Sequence, residues 1–413
     1  MTKKVIVFIV TFLYGLDKSS LNIGNTRIPL FHFSVILLTI TIFIEYFVIK
    51  KEYLEFIKDV LERFLNKNRY SLFVMATWFT YALLSYRWVQ SIPHWHQAIR
   101  FFIVGIFCTI ALILFLRTKK DIHQVFQIMG ITAIIHNIIG WYEVLTQNHL
   151  FTSHRWGNRP VSLFYNTNNF GTFLFFSVFI LYALGENCKN VSLKIIYKAT
   201  AASSTLLIYF TQSRGTQLGL AFGLVILITL SNADKLKNIR KPALSKRLLP
   251  AFLTTSTIKI VAILVYMLTI GIDESNSVRV NLIRNGLVFL RQTNGFGVGA
   301  GNLEYWLEAN LYFVSPINNP PEIHNWWMEI LAGYGVVIFL LYVVFYYRLL
   351  RDNFLKLLKS NTLIDKSFSK AMICIMGGFL IVSAVPDTLI PHLFHWVFWA
   401  VVIAFQGVAV EEY

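Results

Sequence analysis

Apolar stretches of about 20 residues recur along this 413-residue chain, each long enough to cross a hydrocarbon core roughly 30 Å thick. With 56% hydrophobic and only 14% charged residues, no soluble domain of this length accounts for the composition. Spans are predicted near 3–16, 28–49, 70–88, 98–116, 122–145, 168–185, 193–211, 215–231, 250–271, 325–347, 370–386 and 391–409. The expected fold class is therefore all-α, a polytopic membrane protein of about 12 transmembrane helices with a helical extracytoplasmic cap.

Orientation follows from the basic residues. With Lys3 and Lys4 inside, the cytoplasmic segments carry 26 Lys and Arg against 10 on the opposite side, which predicts that both termini are cytoplasmic. The net charge of +16 is then a membrane property and calls for no nucleic-acid partner. The apolar run from Val5 to Tyr14 follows two lysines as a signal peptide would, but no small-residue cleavage site follows, so it is read as a short first span. Cys108, Cys188 and Cys374 show no CxxC spacing and support neither a zinc site nor a disulfide framework. Between Lys50 and Arg69, Leu54, Ile57, Leu61 and Phe64 recur at helical spacing, which predicts an interfacial amphipathic helix with a solvated charged face. Tryptophans at 88 to 95, 326–327 and 396 to 399 fall near span ends, as interfacial belts do.

One connection breaks the pattern of short loops. Residues 272–324 form an outer segment too long for a simple turn and too rich in Val, Leu, Phe, Tyr and Trp for disorder, so a folded cap with at least one helix is expected. The chain thus divides into helices one to nine (1–271), the cap (272–324) and helices ten to twelve (325–413).

Outer cations are scarce by rule, and four outer positions stand out as sites. Arg159 lies in Gly157-Asn-Arg-Pro-Val-Ser, just before the sixth span. Arg214 occupies a tight turn, Thr211-Gln-Ser-Arg-Gly-Thr, where a fixed guanidinium suits a diphosphate or anchors to lipid headgroups. Arg279 is placed by helix geometry: over 278–291, with Arg279 at 0°, the apolar side chains span roughly 260° through 0° to 80°. A cation inside that arc needs an anion, either a ligand or a structural acid such as Asp273 or Glu304, whereas Arg284 and Arg291 fall outside it. His324 follows Pro320-Pro-Glu-Ile and, with Asn325, opens the tenth span; the positive end of the helix dipole disfavours imidazolium and leaves it a base, or an interfacial hydrogen-bonder.

Other constellations carry less. His94 with His96, and His392 with His395, lack a third ligand at metal-site spacing. Glu304 and Glu308 are a poor glycosidase pair. Gly295-Phe-Gly-Val-Gly-Ala-Gly follows no strand, so it reads as a bend where backbone approaches a ligand or another helix, not as a nucleotide fingerprint.

Taken in order, Gly140-Trp-Tyr-Glu-Val-Leu-Thr, Arg159-Pro-Val-Ser-Leu-Phe-Tyr-Asn-Thr-Asn-Asn, Ser213-Arg-Gly, Ser277-Val-Arg, the glycine run from Gly295 and His324-Asn-Trp-Trp-Met-Glu-Ile-Leu-Ala-Gly-Tyr-Gly resemble the O-antigen ligase and Wzy-type polysaccharide polymerase superfamily. The resemblance is nearest to its Gram-positive branch, which includes teichuronic acid biosynthesis proteins. The ligase signature, His-Asn/Ser/Gln, nine residues, then Gly-x-x-Gly/Thr/Tyr, is met through Gly335 and ends in Ile338; where relatives carry Asn-Asp the chain has Asn168-Asn169, which takes no acid or base role here. The resemblance implies glycosyl transfer at the outer face of the plasma membrane, without metal or other cofactor, from a polyprenyl-diphosphate-linked glycan to a hydroxyl acceptor, among membrane lipids and other polysaccharide-assembly proteins. It implies that Arg214 and Arg279 bind the donor diphosphate, that Arg159, Asn168 and Asn325 help hold substrate, and that His324 activates or orients the acceptor hydroxyl.

Three functions compete: a polymerase adding repeat units to a surface polysaccharide, a ligase passing a finished glycan to a lipid, wall or protein acceptor, and a lipid-linked glycan flippase or transporter. A transporter should show internal repeats and polar or broken helices near the midplane. Lys259 is the single Lys or Arg deep in the predicted spans, which favours surface chemistry.

Overall fold

The computed structural model describes residues 69–150, 157–164, 166–237, 274–309, 323–384 and 388–408, two short strands and a few isolated positions. Eleven α-helices lie among them: α1 (Arg69–Leu84), α2 (Ile92–Phe115), α3 (Lys119–Thr146), α4 (Thr167–Asn187), α5 (Val191–Phe210), α6 (Arg214–Lys237), α7 (Glu274–Gln292), α8 (Asn302–Glu308), α9 (Trp326–Lys359), α10 (Leu363–Val382) and α11 (Leu393–Gly407). Six of these, α2 to α6 and α9, are long and apolar enough to cross a bilayer. The protein is thus an all-helical polytopic membrane protein, with helices at the predicted spans three to eight and ten to twelve. Predicted span nine, span one apart from Gly15, nearly all of span two, and most of the 50–69 amphipathic segment lie outside the described residues. Strands β1 (Ser20–Ile23) and β2 (Thr26–Pro29) pair antiparallel, so residues 28–29 belong to a hairpin and not to the start of a span.

Side-chain caps set several helix starts. Thr118 and Asp121 form a reciprocal capping box on α3, Asn190 caps α5 through Leu193 N, and Thr362 caps α10 through Asp365 N. The core gathers around α4, where Phe170, Phe173, Phe175, Phe176 and Phe179 are all buried. Small residues bring its neighbours close: a Cβ on Gly219 of α6 would lie 2.2 Å from Val382 Cγ2, and one on Gly378 of α10 would lie 2.6 Å from Gly219 O. This is how helices associate where lipid offers no hydrophobic drive.

A second cluster is aromatic. Trp78 packs against Phe102, Trp326, Tyr334 and Tyr342 with ring centroids 5.0 to 5.9 Å apart. Trp326 Nε1 donates to the Tyr342 hydroxyl at 2.9 Å and Trp399 Nε1 to His395 Nε2 at 2.8 Å. Trp326, Trp396 and Trp399 are only 1%, 3% and 4% exposed, so they form core and not an interfacial belt; inside the bundle their indole N–H groups find partners that water would otherwise supply.

Loops meet at both ends of the bundle. At one end, Lys119 Nζ pairs with Asp365 Oδ2 at 2.8 Å, joining the start of α3 to α10. At the other, Asn302 of α8 bonds the backbone at Gln90 and Ser91, and the segment linking α7 to α8 docks onto α9. That docking is backbone to backbone: Val298 N to Ala332 O, Gly299 N to Gly333 O and Val336 N to Gly295 O, each 2.9 Å. The span predicted at 325–347 is therefore not continuous, because α9 breaks at Gly335 (φ 83°), where a Cβ would lie 2.5 Å from the carbonyl oxygens of Gly295 and Phe296.

Candidate functional site

At the end of the bundle opposite the Lys119–Asp365 pair, an open cleft of about 1080 Å³ is lined by Val144, Gln147 and the 157–159 loop on one side, and by Tyr209, Phe210, Gln212, Arg214 and Gln217 on the other. Two sequence candidates meet here, Arg159 and Arg214. No carboxylate lines the cleft among the described residues, so its field is cationic and its neutral polar groups are amides suited to sugar hydroxyls.

Arg214 is held by a rigid turn. Thr211 Oγ1 donates to Ile208 O at 2.7 Å, and the Ser213 and Thr216 hydroxyls bond each other at 2.8 Å. The turn sits tightly on α4, since a Cβ on Gly171 would meet Thr216 Oγ1 at 3.2 Å. Arg214 itself is exposed and is the first residue of α6, whose N-terminal dipole adds to its charge in attracting an anion. Arg159 is exposed as well, whereas the segment after it is buried from Pro160 to Phe164.

Arg279 comes to this region from α7. Burial, and then the Arg214 charge, pull its guanidinium below the ordinary arginine range. Among the described residues no carboxylate pairs with it: Glu304 faces His94 and Glu308 instead, and Asp273 lies outside them. The helical-face expectation needs one correction. Leu287 is exposed, whereas Asn285 and Gly286 are buried, the latter packed against Met328 and Ile323. On the same wheel Leu282, Asn285, Gly286 and Phe289 cover about 240° to 340° and Val280 is buried near 100°, so half-buried Arg279 stands between buried positions and the arc is interrupted at exposed Leu287, near 80°. Arg284 and Arg291 are exposed, as predicted.

His324 stands just before α9 with φ 47°, half-buried. Its neighbour Ile323 packs with Leu282 and Phe289 of α7 in one apolar cluster, so His324 and Arg279 stand on elements packed against each other. Asn325 Oδ1 accepts from Met328 N at 3.1 Å and so caps α9. Asn168 is half-buried in the first turn of α4, behind Asn166, whose side chain caps that helix through Asn169 N; Asn169 Nδ2 lies 3.0 Å from His392 Nε2. Arg159 and Arg214 are the sequence candidates that line the cleft; Asn168, Arg279, His324 and Asn325 are not among its lining residues. Gln147, Gln212 and Gln217 are, and reading residues one by one missed them because an isolated glutamine carries no chemical signature.

A helical polytopic membrane protein with an arginine-lined cleft at one end of its bundle is the class that fold and site define. Residues 199–343 match the family model described as O-antigen ligase, a stretch that holds Arg214, Arg279, His324, Asn325 and Gly335. The chain is also 29% identical over 356 residues to the teichuronic acid biosynthesis protein TuaE of Bacillus subtilis (strain 168), covering 81% of this chain and 70% of that protein. The resemblance expected from the ordered motifs is thereby shown.

Proposed function

We propose that this protein transfers a glycan from a polyprenyl-diphosphate carrier to an acceptor hydroxyl at the extracytoplasmic face of the membrane, and that it does so repeatedly, lengthening a surface polysaccharide. One observation carries the reading. Arg159 and Arg214, far apart in sequence, line one cleft, and the charge of Arg214 reaches the guanidinium of Arg279. Guanidinium groups gathered in one place favour an anion between them, and a diphosphate satisfies several forks at once.

The chemistry follows from that placement. The bond between the sugar's anomeric carbon and the diphosphate oxygen breaks, and the arginines take up the charge that grows on the leaving diphosphate. His324 accepts the proton of the acceptor hydroxyl as its oxygen bonds to the anomeric carbon. The activated carrier supplies the driving force, and the guanidinium groups do the electrostatic work without a metal ion.

A ligase reading has its own support, since the matching family model is described as O-antigen ligase. The decisive experiment incubates purified protein with a lipid-diphosphate-linked repeat unit and sizes the products. A ladder establishes polymerisation, a single transfer to a separate acceptor establishes ligation, and intact donor under all conditions overturns both.

A further inference from the structure

The loop that carries Arg159 is gripped at both ends by side chains from the end of α3. Glu143, fully buried in its side chain, accepts from Val161 N and Ser162 N through one carboxylate oxygen, each at 2.7 Å. His149 Nε2 lies 2.8 Å from Gly157 O, and its Nδ1 faces Glu143 Oε1 at 3.4 Å. The ring is as buried as the carboxylate, with 1% of its side chain exposed. A third contact, His136 Nδ1 to Ser162 Oγ at 2.8 Å, holds Ser162 in a left-handed conformation (φ 51°) that a non-glycine residue keeps only where its surroundings enforce it. Arg159 sits between the two grips, exposed to the cleft.

A buried carboxylate accepting two backbone N–H groups makes charge-assisted bonds, and without it both donors stay dry and unmatched. Such a contact is costly to keep for the sake of a surface turn alone. We propose that Glu143, with His149 as its partner, is a positioning residue: it fixes the 157–162 loop so that the Arg159 guanidinium is already in place for the lipid diphosphate. The inference rests on the proposed diphosphate role of the cleft, and it extends the working site to α3, outside the 199–343 stretch that matches the family model. Pre-placing a long side chain removes ordering entropy from the binding step.

The test is a double-mutant cycle read as binding, with undecaprenyl diphosphate in detergent micelles as the probe and the full-length protein as receptor. Glu143→Ala and Arg159→Ala should each weaken binding about tenfold or more, and the double variant should bind no worse than Arg159→Ala alone. Glu143→Gln, which keeps an acceptor oxygen for both N–H groups, should recover most of the affinity. Unaltered binding in Arg159→Ala overturns the role of Arg159 and the proposal with it. Weakened binding in Arg159→Ala with unaltered binding in Glu143→Ala, or with fully additive losses, overturns the positioning role alone. Should Glu143→Ala fail to accumulate in the membrane, His149→Ala releases only the Gly157 end, and spin labels at positions 158 and 217 then report the loop directly. A broadened distance distribution supports the clamp, and an unchanged one overturns it.

Discussion

At the scale of single residues, the proposed roles are open to direct test. His324→Ala should lower glycan transfer by about 10²–10⁴-fold while the protein remains in the membrane at normal level, measured as surface polymer per membrane-bound protein. Wild-type polymer in that variant would remove His324 from the mechanism. Arg279 and Arg284 share one helix, but one is half-buried beside Arg214 whereas the other is exposed and reaches no further than Asn281 Oδ1 at 3.5 Å. Arg279→Ala should therefore cost at least tenfold more activity than Arg284→Ala, and equal losses in the transfer assay would contradict the placement. The arginines stand out in the sequence because the positive-inside rule makes a cation on a segment predicted to be outer conspicuous. Glu143 was visible only as one letter of a motif, since nothing in a helical sequence reveals that its carboxylate meets the backbone of Val161 and Ser162.

At the scale of elements, the glycine run and the α9 break act as one joint. The run was readable as a place of close backbone approach, and Gly335 as a letter of the ligase signature, but their contact was not, because 40 positions of chain separate Gly295 from Gly335. Gly335→Ala places a Cβ against two carbonyl oxygens at φ 83°, whereas Gly157→Ala, at φ 59°, meets nothing within 4 Å. The first should lose about 2 kcal/mol or more and the second only the strain of the left-handed backbone, about 1 kcal/mol, seen as melting temperatures of the purified proteins in detergent. Equal shifts would show that the backbone contact contributes nothing. The same joint bears on the transporter alternative. A broken helix in a transporter lines a cavity, but here the gap is filled by the chain's own 295–299 backbone.

For the molecule as a whole, the loops assigned to one side by charge also meet in space, as Lys119 with Asp365 and Ser91 with Asn302 show. Orientation then follows as a prediction: in a Cys188→Ser background, an impermeant maleimide applied to intact cells should label a cysteine at Asn158 and spare one at Lys120. The reverse pattern would place the cleft in the cytosol and remove its access to an outer glycan acceptor. The sequence by itself determined the helical membrane fold and singled out the candidate cations, because span length, apolar content and Lys/Arg bias are local sums read directly along a chain. Only the tertiary structure decided that Arg159 and Arg214 share a cleft, that Arg279 stands beside Arg214, and that Trp326, Trp396 and Trp399 are core. Those facts depend on which helix faces lie together and on backbone contacts between distant segments, and hydropathy is blind to both.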